Sequence, residues 1–152
     1  MTLCHADPSM LPAILDIENA AFTCPWSEKS FREAFDSEHI TVYAVLAPDG
    51  AVAGFSCLMA YDDEGEILNI AAHPDMRRQG IGQTLMDAML AEGTENGVRT
   101  FYLEVRESNA AARRLYEKNG FEALGIRKRY YTNPVENAVV MRKTIDHTNN
   151  LQ

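Results

Sequence analysis

Apolar residues recur along this chain with two spacings, and each change of spacing marks an element. In "PSMLPAILDIENAAF", Leu11, Ile14, Leu15, Ala21 and Phe22 return at intervals near three and four, the period of one helix face. Cys24-Pro25-Trp26-Ser27 breaks that helix, and Ser27 with Ser30 and Phe31 reads as the cap and first turn of a second. "HITVYAVLAPDGAVAGFSCLMA" then reads as two strands joined at Asp49-Gly50, a dipeptide that favours hairpin turns. "EGEILNIAAH" is a further strand, ended by Pro74. A helix follows Gly80, with Ile81, Leu85, Ala88 and Met89 on one stripe and Gln83, Asp87 and Glu92 off it. "RTFYLEV" is a short strand, and "SNAAARRLYEKNG" a helix capped by Ser108 or Asn109 and stopped by Gly120. "FEALGIRKRYY" and "NAVVMRKT" close the chain as strands, and "TLCHA" opens it as an edge strand. The predicted order is strand, two helices, three strands, helix, strand, helix, two strands. With no repeat and no linker, this predicts one α/β domain over residues 1–144 and a polar tail, "IDHTNNLQ", over residues 145–152.

Composition narrows the function. The 152 residues suffice for one domain with a real core, and 46% hydrophobic with 24% charged residues is the balance of a globular protein. A net charge of -8 argues against a general nucleic-acid binder, because no basic face offsets phosphate charge. It suits a basic peptide as partner and equally suits solubility alone. Cys4, Cys24 and Cys57 form no Cys-x-x-Cys pair, and His5, His39, His73 and His147 lack ligand spacing, so no metal is expected. There is no 18-residue apolar run, and no basic-then-apolar leader in "MTLCHADPSM". The expectation is a cytoplasmic protein with no membrane partner.

The stretch "MRRQGIGQTLM", Met76 to Met86, places two arginines and a glutamine before a Gly-x-Gly at the mouth of a helix. A helix N-terminus exposes unpaired N–H groups and carries about half a unit of positive charge. Glycines remove the Cβ atoms that hold a diphosphate away, and Arg77 and Arg78 add charge-assisted hydrogen bonds. The other reading is a glycine-softened turn with solvated arginines. Two known glycine motifs are excluded: Gly82 is followed by Gln83-Thr84 rather than Lys-Ser or Lys-Thr, and Leu85 stands where a dinucleotide fingerprint needs its third glycine.

Arg77-x-x-Gly80-x-Gly82, after a strand and before a helix, resembles the acyl-CoA pyrophosphate loop of the GNAT superfamily of N-acetyltransferases. "NIAAHPDMRRQGIG", "CPWSEKSF" and "LEVRESNAAARRLYEKNGF" are similar to its ribosomal-protein-alanine N-acetyltransferase (RimI-type) branch, and the similarity covers about residues 1–144. The resemblance implies an α/β (α+β) GNAT fold: a central mixed, mostly antiparallel seven-stranded sheet, split at a bulge, with four helices. It implies acetyl-CoA as co-substrate, with main-chain contacts to the pantetheine arm from Ile70, Ala71 and Ala72. Arg77, Arg78, Gln79, Gly80, Ile81, Gly82 and Gln83 would hold the pyrophosphate. The family often has valine at Ala72 and aspartate at His73, changes of small consequence for main-chain contacts.

Acetyl transfer to an amine needs a neutral nucleophile, a stabilised oxyanion and a protonated leaving thiolate. A free α-amine titrates near about 8, so a positioned carboxylate suffices as base at neutral pH. Glu104 is the candidate. Phe101, Tyr102, Leu103 and Val105 beside it suggest partial burial, which lifts a carboxyl above its usual value of about 4.3. The alternative is a solvated glutamate paired with Arg106. Tyr116, on the helix side opposite Arg113, Glu117 and Lys118, is either a core residue or the acid. The resemblance implies that Glu104 accepts the proton, Tyr116 donates one to the CoA sulfur, and Asn109 touches CoA. It also implies an acceptor groove walled by "TCPWSEK" and "RYYTNPVEN". Trp26 and Tyr131 would pack on substrate and Glu28 and Glu136 attract a basic peptide, unless Trp26 only staples its turn. The expected acceptor is the N-terminal alanine of a small-subunit ribosomal protein, and the enzyme a monomer or weak dimer. A lysine or small-molecule acetyltransferase and an idle acyl-CoA-binding module are the alternatives. Cys57 has no evident activator, so direct transfer is expected rather than an acetyl-enzyme.

Overall fold

The structure, a computed structural model, describes residues 1–145. Its elements are β1 (Thr2–His5), α1 (Leu11–Ala21), α2 (Glu28–Asp36), β2 (Ile40–Leu46), β3 (Val52–Tyr61), β4 (Glu64–Ala72), α3 (Ile81–Glu95), β5 (Thr100–Arg106), α4 (Ala110–Lys118), β6 (Glu122–Tyr131) and β7 (Glu136–Thr144). Short 3-10 turns at Pro8–Met10 and Pro74–Met76 precede α1 and follow β4. The seven strands are ordered β1-β2-β3-β4-β5-β7-β6. The β4–β5 pair is parallel; the β1–β2, β2–β3, β5–β7 and β6–β7 pairs are antiparallel. Seven strands and four α-helices appear in the order the hydrophobic pattern predicts. Of the predicted tail, residues 146–152 lie outside the described residues; Ile145 donates its N–H to the Arg99 carbonyl at 2.8 Å.

The chain divides into two compact units, with β3, β4 and α3 each passing from one to the other. The first comprises Met1–Met59 and Ile67–Met89. Its core gathers Leu11, Ile14 and Ile17 of α1 and Phe31 of α2 with Phe55 and Cys57 of β3. Phe31 and Phe55 meet edge to face with centroids 5.6 Å apart. Helix α2 begins as the sequence predicts, the Ser27 hydroxyl accepting the Ser30 N–H at 3.1 Å. Phe22, predicted on the α1 face, is instead the extended residue that ends the helix.

A carboxylate sits in that core. Glu18 is 2% exposed and accepts the Trp26 N–H at 2.8 Å and the Asn69 side-chain N–H at 3.1 Å. Burial pushes its carboxyl above the usual value of 4.5, against the pull of these two hydrogen bonds. Glu18 thus ties α1 both to the turn before α2 and to β4.

The second unit comprises Ala60–Glu66 and the chain from Leu90 onward. Strand β5 is its centre, pairing in parallel with the start of β4 (Glu66 opposite Tyr102) and antiparallel with β7. Strict alternation buries Phe101, Leu103 and Val105 on one face and leaves Tyr102, Glu104 and Arg106 half-buried on the other. Strand β6 pairs with β7 and is exposed at nearly every position. Its register slips between Arg127 and Tyr131, where four steps along β6 face two along β7 (Ala138 to Glu136). Arg129 takes a positive φ of 53° within this bulge, its N–H held by the Asn137 side chain at 3.0 Å.

Candidate active site

In the first unit β4 ends at Ala72 and the glycine loop begins. His73 caps the 3-10 turn, its Nδ1 accepting the Asp75 N–H at 3.1 Å. A capping aspartate would do the same work. Arg77, Arg78, Gln79 and Gly80 are exposed, and neither arginine takes part in an ion pair among the described residues. Arg78 (φ 65°) and Gly80 (φ 76°) are both left-handed, and such residues alternating with ordinary ones make a backbone concave toward an anion. The Gly80 carbonyl accepts both the N–H and the hydroxyl of Thr84 at 3.0 Å, closing the first turn of α3. A Cβ at Gly80 would meet nothing within 4 Å, so its side of the turn is open. The mouth of a 15-residue helix, with two arginines beside it, suits an anionic diphosphate.

Gly54 of β3 escaped the sequence reading. A Cβ there would stand 2.5 Å from Ile81 Cγ2 and 2.9 Å from the Ala71 carbonyl oxygen. The missing side chain is what lets β3 lie against Ala71 and the first residue of α3. A glycine inside the strand pattern "VAGFS" was the available signal.

The second unit gathers the ionisable groups. Glu104 Oε1 accepts a 2.6 Å hydrogen bond from Arg127, while its Oε2 is buried with no hydrogen-bond partner among the described residues. The Arg127 guanidinium also lies 4.7 Å over the Tyr130 ring. Burial, then the charge of Glu104, raises the Glu66 carboxyl. Burial and then Glu104 push the Tyr131 phenol up to about 12. The apolar neighbours that suggested burial for Glu104 lie mostly on the opposite face of β5. Arg106 is not its partner either. Arg106 donates to the Thr132 and Pro134 carbonyls at 2.6 and 3.0 Å, pairs with Glu136 at 3.2 Å and covers the Tyr131 ring at 4.5 Å.

The remaining candidates fall as follows. Tyr116 is 6% exposed, its ring edge to face with Phe121 at 6.1 Å. Burial, and then Tyr131, pushes its phenol well above the usual tyrosine range. Asn109 caps α4, its Oδ1 accepting the Ala112 N–H at 3.1 Å, which leaves the amide NH2 to meet a ligand. Trp26 packs on Phe31 with centroids 5.3 Å apart, so it does staple its turn. Tyr131 is half-buried under Arg106. Glu136 is engaged at both oxygens, the second accepting the Ser108 N–H at 2.7 Å, and anchors the β6–β7 loop. Glu28 is exposed and paired with Arg32 at 3.2 Å. Cys57 is buried, and burial together with Glu18 raises its thiol, which suppresses the nucleophilic thiolate. Among the described residues no cluster of His, Cys, Asp or Glu could hold a metal, and no helix is long and apolar enough to cross a membrane.

The sequence matches the acetyltransferase (GNAT) family over residues 11–121, and the chain belongs to that family. It is an acyltransferase, of a family whose acyl donor is acetyl-CoA. It is 39% identical over 142 residues to the [ribosomal protein bS18]-alanine N-acetyltransferase of Escherichia coli K12, covering 92% of this chain and 95% of that one. The Salmonella typhimurium protein of the same name is 39% identical over 133 residues, 86% and 88% of the two chains. The crystal structure of the ribosomal-protein-S18-alanine N-acetyltransferase from Escherichia coli superposes with a TM-score of 0.88 at 38% identity, over 95% of this chain and 94% of that one.

Proposed function

We propose that this enzyme moves the acetyl group of acetyl-CoA to the N-terminal alanine of a small-subunit ribosomal protein. The observation that carries the reading is the 39% identity, along almost the whole chain, with an enzyme named for that reaction. In this reading Ile70, Ala71 and Ala72 offer main-chain groups to the pantetheine arm, and Arg77 to Gln83 hold the pyrophosphate. Asn109 adds a side-chain contact to CoA. Tyr131 and, beyond its packing on Phe31, Trp26 contact the acceptor.

Glu104 takes one proton from the acceptor's ammonium group, and the neutral nitrogen attacks the thioester carbonyl. As the C–S bond breaks, the nitrogen's second proton passes to solvent and the CoA thiolate leaves. Tyr116 steadies that thiolate. Thiols titrate near about 8.5, and the buried phenol holds its proton more tightly than an ordinary tyrosine. Full transfer from phenol to sulfur therefore runs uphill, and the phenol acts chiefly by donating a hydrogen bond. No acetyl-enzyme is required, in keeping with the buried, thiolate-disfavouring setting of Cys57. The net charge of -8 favours a basic acceptor peptide over nucleic acid.

Mass spectrometry of acceptor peptides tests the reading. An Ala-Arg-initiated peptide is expected to be acetylated at its α-amine well ahead of Ser- or Met-initiated peptides and of N-blocked lysine peptides. Equal rates on all of them would remove the narrow acceptor assignment and leave the acetyltransferase.

A further inference from the structure

The ion pair on the proposed base raises a chemical difficulty. A carboxylate already bonded to a guanidinium is a poor acceptor for another cation's proton. We propose that Arg127 is a positioning residue that holds Glu104 in the free enzyme and gives up its place to the acceptor's ammonium group. The inference rests on the role proposed for Glu104 and adds to it a residue to which that role gave none.

Three features support the exchange. Glu104 is the fixed partner: its side chain is 18% exposed, on the central strand β5 between β4 and β7. Arg127 is the mobile one, 56% exposed on the edge strand β6 beside the register slip, and held otherwise by the face of Tyr130. Among the described residues no donor stands within bonding distance of Glu104 Oε2, and the other side chain turned to the carboxylate, the Tyr130 phenol, is neutral, so no second cation holds it. The charges also favour a second cation. The groups around Glu104 are Glu66 on β4 and Arg127, Tyr130 and Tyr131 on β6; its β7 partner is Val140, and Arg106 on its own strand is committed to Glu136. Glu66 and Glu104 both act on the one guanidinium of Arg127, so the pair attracts a further cation. An incoming ammonium is that cation, and on losing a proton to Glu104 it becomes the nucleophile.

Arg127→Gln removes the competing cation and Arg127→Lys keeps one. In Arg127→Gln the acceptor KM is expected to fall at about pH 8, near the α-amine's own pKa, while the acetyl-CoA KM stays put. Arg127→Lys keeps a cation at the carboxylate and should restore the wild-type acceptor KM. An acceptor KM that is unchanged or rises in Arg127→Gln overturns the proposal. Glu104→Gln in the same assay keeps the two readings apart: full activity in that variant discards Glu104 as base. An inactive Glu104→Gln beside an unaffected Arg127→Gln discards only the displacement.

Discussion

Glu104→Gln is expected to bind acetyl-CoA as tightly as the parent and to turn over about two to four orders of magnitude more slowly, the usual contribution of a positioned acid or base. The substitution is nearly isosteric, and an amide oxygen still accepts a hydrogen bond. What disappears is the ability to take a proton from the attacking amine. The fold should tolerate the change. The partner lost is a half-exposed arginine, and ion pairs of that kind contribute about 0–1 kcal/mol. Stopped acetylation with an unchanged melting temperature, and an unchanged acetyl-CoA affinity by calorimetry, is the expected combination. Turnover near the parent's in Glu104→Gln would assign proton removal to solvent or to another group, and Glu66, with its raised carboxyl, would be the first to test.

Gly54→Ala is the second large effect, and it acts through packing rather than chemistry. The new methyl would meet Ile81 Cγ2 at 2.5 Å and the Ala71 carbonyl oxygen at 2.9 Å. Ile81 is a buried side chain that can turn aside only by disturbing its neighbours, and a carbonyl oxygen cannot turn aside at all without moving β4. Overpacking of this kind costs about 1–3 kcal/mol. Both displaced groups belong to the proposed acetyl-CoA surface: Ala71 to the pantetheine contacts and Ile81 to the first turn of α3. A lower melting temperature is therefore expected together with an acetyl-CoA Kd raised about tenfold, equivalent to about 1.4 kcal/mol. A variant that melts and binds like the parent would mean that Gly54 has no part in shaping the loop.

What the sequence conceals here has one cause. Periodicity places a residue on a face of its own element, and Leu11, Ile14, Leu85 and Tyr116 are buried as their spacing predicts. Local chemistry does as well: Ser27 caps α2, and Asn109, one of two residues named for the task, caps α4. What faces that residue across the sheet depends on register, which no short window contains. Arg127 lies 23 residues after Glu104 and meets it across β7, which runs between their strands. Arg106, two positions from Glu104, looked the better partner and is drawn off by Glu136. Glu18 was legible as helix and not as core, because a carboxylate after Ile17 reads as polar until Asn69, 51 positions later, supplies its partner. Glu66 and Gly54 were hidden in the same way, each within a strand that reads correctly as a strand.

The central claim is that the main chain around Gly80 and Gly82 receives the diphosphate of acetyl-CoA. A crystal structure of the coenzyme A complex tests it most directly. The expected result is diphosphate oxygens within hydrogen-bond distance of the main-chain N–H groups of residues 80–83, with Arg77 or Arg78 alongside. Coenzyme A bound with its diphosphate away from that turn would contradict the claim, and the roles given to Ile70, Ala71 and Ala72 would go with it.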